Sequence, residues 1–386
     1  MEIGGFFPYQ PVGSEPNNYV EHTCPDPGDT AHLMSGRCAI YYCLRDLILT
    51  DQKRVAYLPS YDCETVLGCF VKAGYEIHYY DFDKNLSPVF EEEMIPQISV
   101  LLVCGYYGYP TYDENFVKKC KASGVSVIVD TTHTAFSPLS ACPDADYIVV
   151  SLRKWMGVAS GGLAIKRKGT FGVKPIPINK KQFSLRDQAL QSRETYEHTG
   201  NEDYNKEGND VFWKAEFMLR EIFDIQEGDE ASLKTILHYP FRDAIRKRQE
   251  NYRYLLEHLP ERSDIRPVFP YLSDDICPMF FPFFVENRAP LSSIWQTGTF
   301  RLKYTGLYHL FERLKTIQEL NIFIPISCLS AVMNALTRTI CRKLSPSNNW
   351  RKEEWVIIIQ DYVLGKNLKS QLPSYADFEP LRYILM

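Results

Sequence analysis

A carboxylate, an imidazole and an amine stand at the ends of two apolar runs in VIVDTTHTAFSPLSACPDADYIVVSLRKWMGVASGGLAI, residues 127–165. Asp130 closes VSVIVD, His133 follows three residues later, and Lys154 lies just past ADYIVVSL with Gly161 and Gly162 behind it. Taken alone, Lys154 reads as a surface residue, as most lysines are. The competing reading is a Schiff-base lysine, whose amine becomes a nucleophile when a pocket shared with other cations lowers its pKa. Asp130, at a strand end, is placed to meet a ligand lying above the sheet.

The chemistry that needs such a carboxylate is that of pyridoxal 5'-phosphate, because an acid at the pyridinium nitrogen keeps the ring protonated and able to store electrons. His133 would stack on that ring or hydrogen-bond its phenolic oxygen, although a helix or loop cap explains D-x-x-H equally well. A phosphate needs its own cradle. SGRCA, residues 35–39, offers free backbone N–H groups and the positive end of a helix dipole, and Ser151 adds a hydroxyl. Small residues also start many helices for capping reasons alone. It is the order that carries weight: phosphate turn at 35–39, ring acid at 130, lysine at 154.

The elements that must position these residues follow from the apolar spacing. Ala39, Ile40, Cys43, Leu44 and Leu47 recur at helical intervals after Ser35 and Gly36. RVAYLPS (54–60), YEIHYYDFD (75–83), ISVLLVCGYYG (98–108), VSVIVDTTH (125–133) and ADYIVVSL (145–152) read as strands. Helices are expected between them at 62–74 and 112–124. Runs such as VLLV and VIV suit strands buried on both faces, which predicts a mostly parallel sheet with crossover helices and ligands beyond the strands' carboxyl ends.

Before this region, residues 1–34 read as an irregular arm. After GGLAIKRKG the alternation stops, and the polar stretch 180–210 is expected to be an exposed excursion or mobile segment. Helices follow at about 211–224 and 240–260. In the second, Ile245, Tyr252, Leu255, Leu256 and Leu259 form an apolar stripe, with Arg246, Lys247, Arg248, Glu250 and Arg253 mainly on the outer face. CPMFFPFFVENR opens a smaller C-terminal unit. The expected division is an arm (1–34), a large cofactor-binding domain (35–240) and a smaller domain (241–386).

With 386 residues, 45% hydrophobic and 24% charged, the chain has ordinary globular composition. A net charge of -5 and no basic stripe argue against nucleic acid. Neither a signal peptide nor an apolar membrane run is seen, so a cytoplasmic setting is expected. The 11 cysteines include no C-x-x-C pair, there is no His cluster at metal spacing, and no metal is expected. Reduced core thiols, exemplified by Cys43 and Cys104, are favoured over a disulfide framework.

Five segments in register resemble fold-type I pyridoxal-phosphate enzymes, and within them the DegT/StrS-type sugar aminotransferases. SGRCAI resembles the family's S-G-T-x-A-L turn, and VAYLPSYDCETVLGCFVKAGYEIHYYDFD its strand with P-S-aromatic and a later G-to-D continuation. VLLVCGYYGYP, VIVDTTHTAFS and SLRKWMGVASGGLAI complete the match, which covers about 34–165 well and extends loosely to about 288. The resemblance implies an α/β large domain of the transferase type plus a smaller, divergent α+β C-terminal domain. It makes Lys154 the Schiff-base lysine and proton carrier, Asp130 the pyridinium partner and His133 a neighbour of the ring or its phenolate. Gly36, Arg37 and Cys38 become the phosphate turn, with Arg37 where the family has Thr. The family's ring-stacking position falls on Cys63, and Tyr61 is the alternative. Ser151 is a candidate phosphate ligand, three residues before the lysine instead of five.

The implied reaction moves an amino group from a donor, usually glutamate, to a keto-sugar carried on a nucleotide, as in polysaccharide or lipopolysaccharide biosynthesis. Lys154 argues against the branch that lacks the lysine and dehydrates, and a homodimer is implied. The alternatives are a lyase-type reaction on the same scaffold and a non-catalytic relative. Residues 180–240 lack the family's G-x-N-x-R-M pattern, and beyond about Arg288 the resemblance ends. Divergence, a different module and a reading-frame slip compete there, with the slip favoured.

Overall fold

The computed structural model describes residues 6–83, 85–137, 142–258 and 265–285, together with the backbone of 302–304 and 355–360. These fall into two compact units, one of residues 6–80 and 90–242, the other containing 81–89 and 243 onward.

The large unit begins with a short helix α1 (Tyr19–Thr23) and strand β1 (Asp29–Leu33), so part of the expected irregular arm is regular. Helix α2 (Gly36–Leu47) starts where Ser35 caps it, and buries Ala39, Ile40, Cys43, Leu44 and Leu47. Then β2 (Val55–Pro59), α3 (Glu64–Lys72) and β3 (Glu76–Phe82) alternate, and the two-residue β4 (Pro88–Val89) pairs with the tail of β3. Strand β5 (Val100–Cys104), α4 (Glu114–Ala122), β6 (Ser126–Asp130), β7 (Tyr147–Ser151) and β8 (Gly162–Lys166) complete the sheet.

Its eight strands run in the order β1-β8-β7-β6-β5-β2-β3-β4. The neighbours from β3 through β2, β5 and β6 to β7 are parallel, while β8 and β1 add antiparallel strands at one edge. Burial on both faces explains the unbroken apolar runs: Val100, Leu101, Leu102 and Val103 are fully inaccessible, as are Val127, Ile128 and Val129. Leu44 and Phe70 pack over Leu58, Leu102 and Ile128, each such side chain contributing about 1.5–3 kcal/mol by leaving water. Because β2, β5, β6 and β7 are parallel, Pro59, Cys104, Asp130 and Ser151 end them at the same edge of the sheet.

The stretch expected to be an exposed excursion is instead a helical hairpin of α5 (Lys180–Thr199) and α6 (Glu202–Ile222). Asn179 caps the first helix, Gly200 ends it in the left-handed region at φ 69°, and Asn201 caps the second. Polarity misled here because α5 buries Gln182, Arg186, Ser192 and Arg193 beside Ala189 and Leu190. Gly208 lets the helices cross closely: a Cβ there would sit 3.3 Å from that of Ser192. Helix α7 (Glu230–Leu237) and the start of α8 (Phe241–His258) follow.

In the second unit, β9 (Ile265–Pro267), β10 (Phe280–Val285), β11 (Leu302–Tyr304) and β12 (Trp355–Gln360) form an antiparallel sheet in the order β11-β12-β10-β9. Arg248, expected on the outer face of its helix, is buried and donates to the Met279 carbonyl at 3.2 Å. Leu259 and most of the divergent region beyond 288 lie outside the described residues. Every described cysteine is a free thiol. Among the described residues no helix is long and apolar enough to cross a membrane.

Candidate active site

The strand ends and the start of α2 bring together residues far apart in sequence. Ser35 Oγ accepts the Cys38 N–H at 3.2 Å, so that amide is engaged and the N–H groups of Gly36 and Arg37 are left without intrahelical acceptors. Gly36 is required by proximity, since a Cβ there would stand 2.7 Å from Cβ of Ser151 and 3.3 Å from its Oγ. The start of α2 and the end of β7 therefore touch, which brings the SGRCA turn beside Ser151. Arg37 is half-buried with its guanidinium 5.7 Å from the Phe223 ring, and its Nε and Nη1 are buried without an acceptor among the described residues.

Asp130 is 8% exposed and accepts the Thr132 N–H at 2.8 Å. Burial raises its carboxyl pKa, against the opposing effects of that hydrogen bond and of Lys154. Two residues the sequence reading passed over hold this corner. Thr132 Oγ1 accepts the Ser151 N–H at 3.0 Å, and the Trp155 indole donates to the Thr132 carbonyl at 2.7 Å. They tie the end of β6 to β7 and to the 3-10 turn Leu152–Lys154. The turn leaves Lys154 exposed and without a hydrogen bond or ion pair among the described residues.

Lys154 nevertheless acts electrostatically on Asp62, Cys63, Cys104 and Asp130. Asp62 was absent from the sequence-based candidates; its only signal is position, an acid directly after the P-S-aromatic strand end. It is exposed at its surface, yet desolvation by the surrounding protein and then repulsion from Asp130 push its carboxyl up to about 7, with Lys154 pulling the other way. Cys63, at the start of α3, is also open, with Sγ 3.1 Å from Thr65 Oγ1. Desolvation and then the neighbouring Glu64 carboxylate raise its thiol pKa, against the opposing pull of Lys154.

The aromatic residues form a separate wall. Tyr61 and Tyr107 share a hydroxyl hydrogen bond of 2.6 Å, and the Tyr106 hydroxyl donates to the Tyr61 carbonyl. His133 stacks on Tyr107 at 5.7 Å between centroids. The expected strand to 108 stops at Cys104 because Tyr106 and Tyr109 exchange backbone hydrogen bonds across a turn that places Tyr107 at φ 57°. Strain of that kind is kept where surrounding contacts fix it.

No family model matches the sequence, and no curated protein does. Similarity lies in the fold. The structure of 3-amino-5-hydroxybenzoic acid synthase is similar with a TM-score of 0.57 and 12% identity, over 95% of this chain and 87% of that one. Aminotransferase TlmJ from Streptoalloteichus hindustanus is similar with 0.55 and 14%, over 99% and 97%. PseC of Helicobacter pylori, an aminotransferase involved in the biosynthesis of pseudoaminic acid, gives 0.52 and 11%, over 100% and 98%. The mostly parallel sheet, its helices and the shared architecture place this chain in the fold-type I transferase fold.

Proposed function

We propose that this protein is a pyridoxal-phosphate-dependent aminotransferase acting on a sugar. One observation carries the reading: Lys154, an amine without a hydrogen bond or ion pair among the described residues, stands at the sheet edge beside the buried carboxylate of Asp130. The shared fold with structures whose names are those of aminotransferases supports it.

The residues fit the cofactor at both ends. Asp130 would hold the proton on the ring nitrogen, and Lys154 would hold the cofactor covalently. The free N–H groups of Gly36 and Arg37, the Ser151 hydroxyl and the Arg37 guanidinium would hold the phosphate. Tyr61 or Cys63 would flank the ring, and His133 with Tyr107 would back that wall. When bound, pyridoxal phosphate supplies a protonated ring that stores an electron pair from the substrate's α-carbon. Lys154 Nζ would take the proton from the substrate's α-carbon, the work of a positioned general base. Asp62, half-protonated near neutral pH, would hold a proton beside it.

The finer reading has glutamate as donor and a nucleotide-linked keto-sugar as acceptor, in a cytoplasmic homodimer serving polysaccharide biosynthesis. Single-turnover spectroscopy tests the core of it. Protein loaded with pyridoxal phosphate should show a band near the visible edge, shifted from that of the free cofactor, that bleaches on adding glutamate, and Lys154→Ala should lack the shift and bleach far more slowly. A band unaffected by any amino donor would count against transamination.

A further inference from the structure

Next to this cleft, three guanidinium groups surround one carboxylate. Arg153 Nη2 donates to Glu216 Oε1 at 2.6 Å, and Arg186 Nη1 approaches the same oxygen at 3.5 Å. Arg37, on the first turn of α2, interacts electrostatically with both Glu216 and Arg153. The side chains of Arg153 and Arg186 are only 10% and 4% exposed. Three cations against one anion leave a surplus of positive charge, whereas buried charges are ordinarily paired.

The hydrogen bonds are unbalanced in the same sense. Nε and Nη1 of Arg37, Nε and Nη1 of Arg153 and Nε of Arg186 are buried with no acceptor among the described residues. Stacking of Arg37 near Phe223 and of Arg186 on Phe212, 4.6 Å from the centroid, occupies guanidinium faces but not their in-plane N–H groups. Burial and then Arg153 pull the Arg186 pKa down to about 9. Burial alone would raise Glu216, but Arg153, Arg186 and Arg37 outweigh it and hold the carboxyl at about 2.

We propose that Arg37, Arg153 and Arg186 form a binding site for a phosphate-class dianion, which supplies the missing negative charge and accepts the orphaned N–H groups. A tetrahedral oxyanion suits guanidinium forks, and the amides at the start of α2 add donors of the same sign. Two sources share this chemistry: the phosphate of the cofactor, in which case the inference rests on the proposed function, or a separate phosphate, in which case it stands without that reading.

Calorimetric titration of the full chain with inorganic phosphate at fixed ionic strength distinguishes them. Wild type should bind phosphate saturably, with sulfate competing and chloride not. Arg37→Gln and Arg186→Gln should weaken binding at least about tenfold, the equivalent of one lost charge-assisted hydrogen bond. Arg37→Lys should restore part of it. Displacement of phosphate by pyridoxal phosphate, but not by pyridoxal, assigns the cluster to the cofactor's phosphate. Phosphate binding that persists with pyridoxal phosphate bound assigns a second phosphate site. Absence of saturable binding by wild type, or binding unchanged in folded Arg37→Gln, overturns the proposal. If the glutamine variants fail to fold, the competition series on wild type still decides. Phosphate binding without any Lys154 adduct would sink the aminotransferase reading and leave this site standing.

Discussion

Arg153 and Lys154 are neighbours in sequence and opposites in surroundings. Lys154 acts electrostatically on the acids Asp62 and Asp130, whose carboxyl pKa values burial raises. Arg153 joins Arg37 and Arg186 around Glu216 alone. The first region gathers carboxyl groups near one amine, and the second gathers guanidinium groups around one carboxylate. A self-sufficient ion-pair network would neutralise itself locally, and this one does not. Under the proposed function a single molecule would meet both regions, because pyridoxal phosphate has a cationic ring nitrogen at one end and a dianion at the other. Under that reading the grouping of like charges, more than any single residue, points to the site.

The sharpest break in the comparison is at Lys154. Replacing it with Ala should lower the donor half-reaction by about 10²–10⁴-fold, the usual reach of a positioned general base, measured by single-turnover absorbance. Full activity would make Lys154 a surface residue.

On the cationic side, Glu216→Gln removes the one carboxylate that, among the described residues, meets the three guanidinium groups. It should cost about 3–5 kcal/mol in denaturant unfolding, as breaking a buried pair does, with added phosphate recovering part of the loss. A variant as stable as wild type would mean that the cluster is already neutralised. Gly36→Ala, which forces a Cβ to 2.7 Å from Ser151, should cost about 1–3 kcal/mol through overpacking between α2 and β7. The thermal midpoint reads this effect.

The smallest expected effect is at Asp62. Its folded pKa, about 7, lies above the ordinary carboxylate value. Between that value and 7 the folded state therefore binds the extra proton, and stability falls as pH rises through this window. Asp62→Asn should flatten that part of the stability profile and remove an inflection near neutrality from the activity profile. Solvent access keeps the amplitude small. Unchanged profiles would remove Asp62 from the cleft's electrostatics.

How much of this was legible in sequence depends on locality. The β5, β6 and β7 cores were readable because burial on both faces writes itself as unbroken apolar runs. The α2 start was readable because a cap and a glycine are adjacent in the chain. Asp62 was not, since its significance comes from Asp130 and Lys154 on other elements. Neither was the arginine cluster: Arg186 and Glu216 lie on different helices of the hairpin, and the polar composition of α5 suggested exposure where it conceals burial. His133 shows the limit of spacing alone, for it sits three residues from Asp130 and stacks on Tyr107.

The central claim is that Lys154 holds the cofactor covalently. Incubating the full chain with pyridoxal phosphate, reducing with borohydride and mapping the peptides by mass spectrometry tests it directly. A stable pyridoxyl-phosphate mass on the peptide carrying Lys154, absent from Lys154→Ala, is the predicted result. An unlabelled Lys154, or label spread over surface lysines in both proteins, would contradict the account.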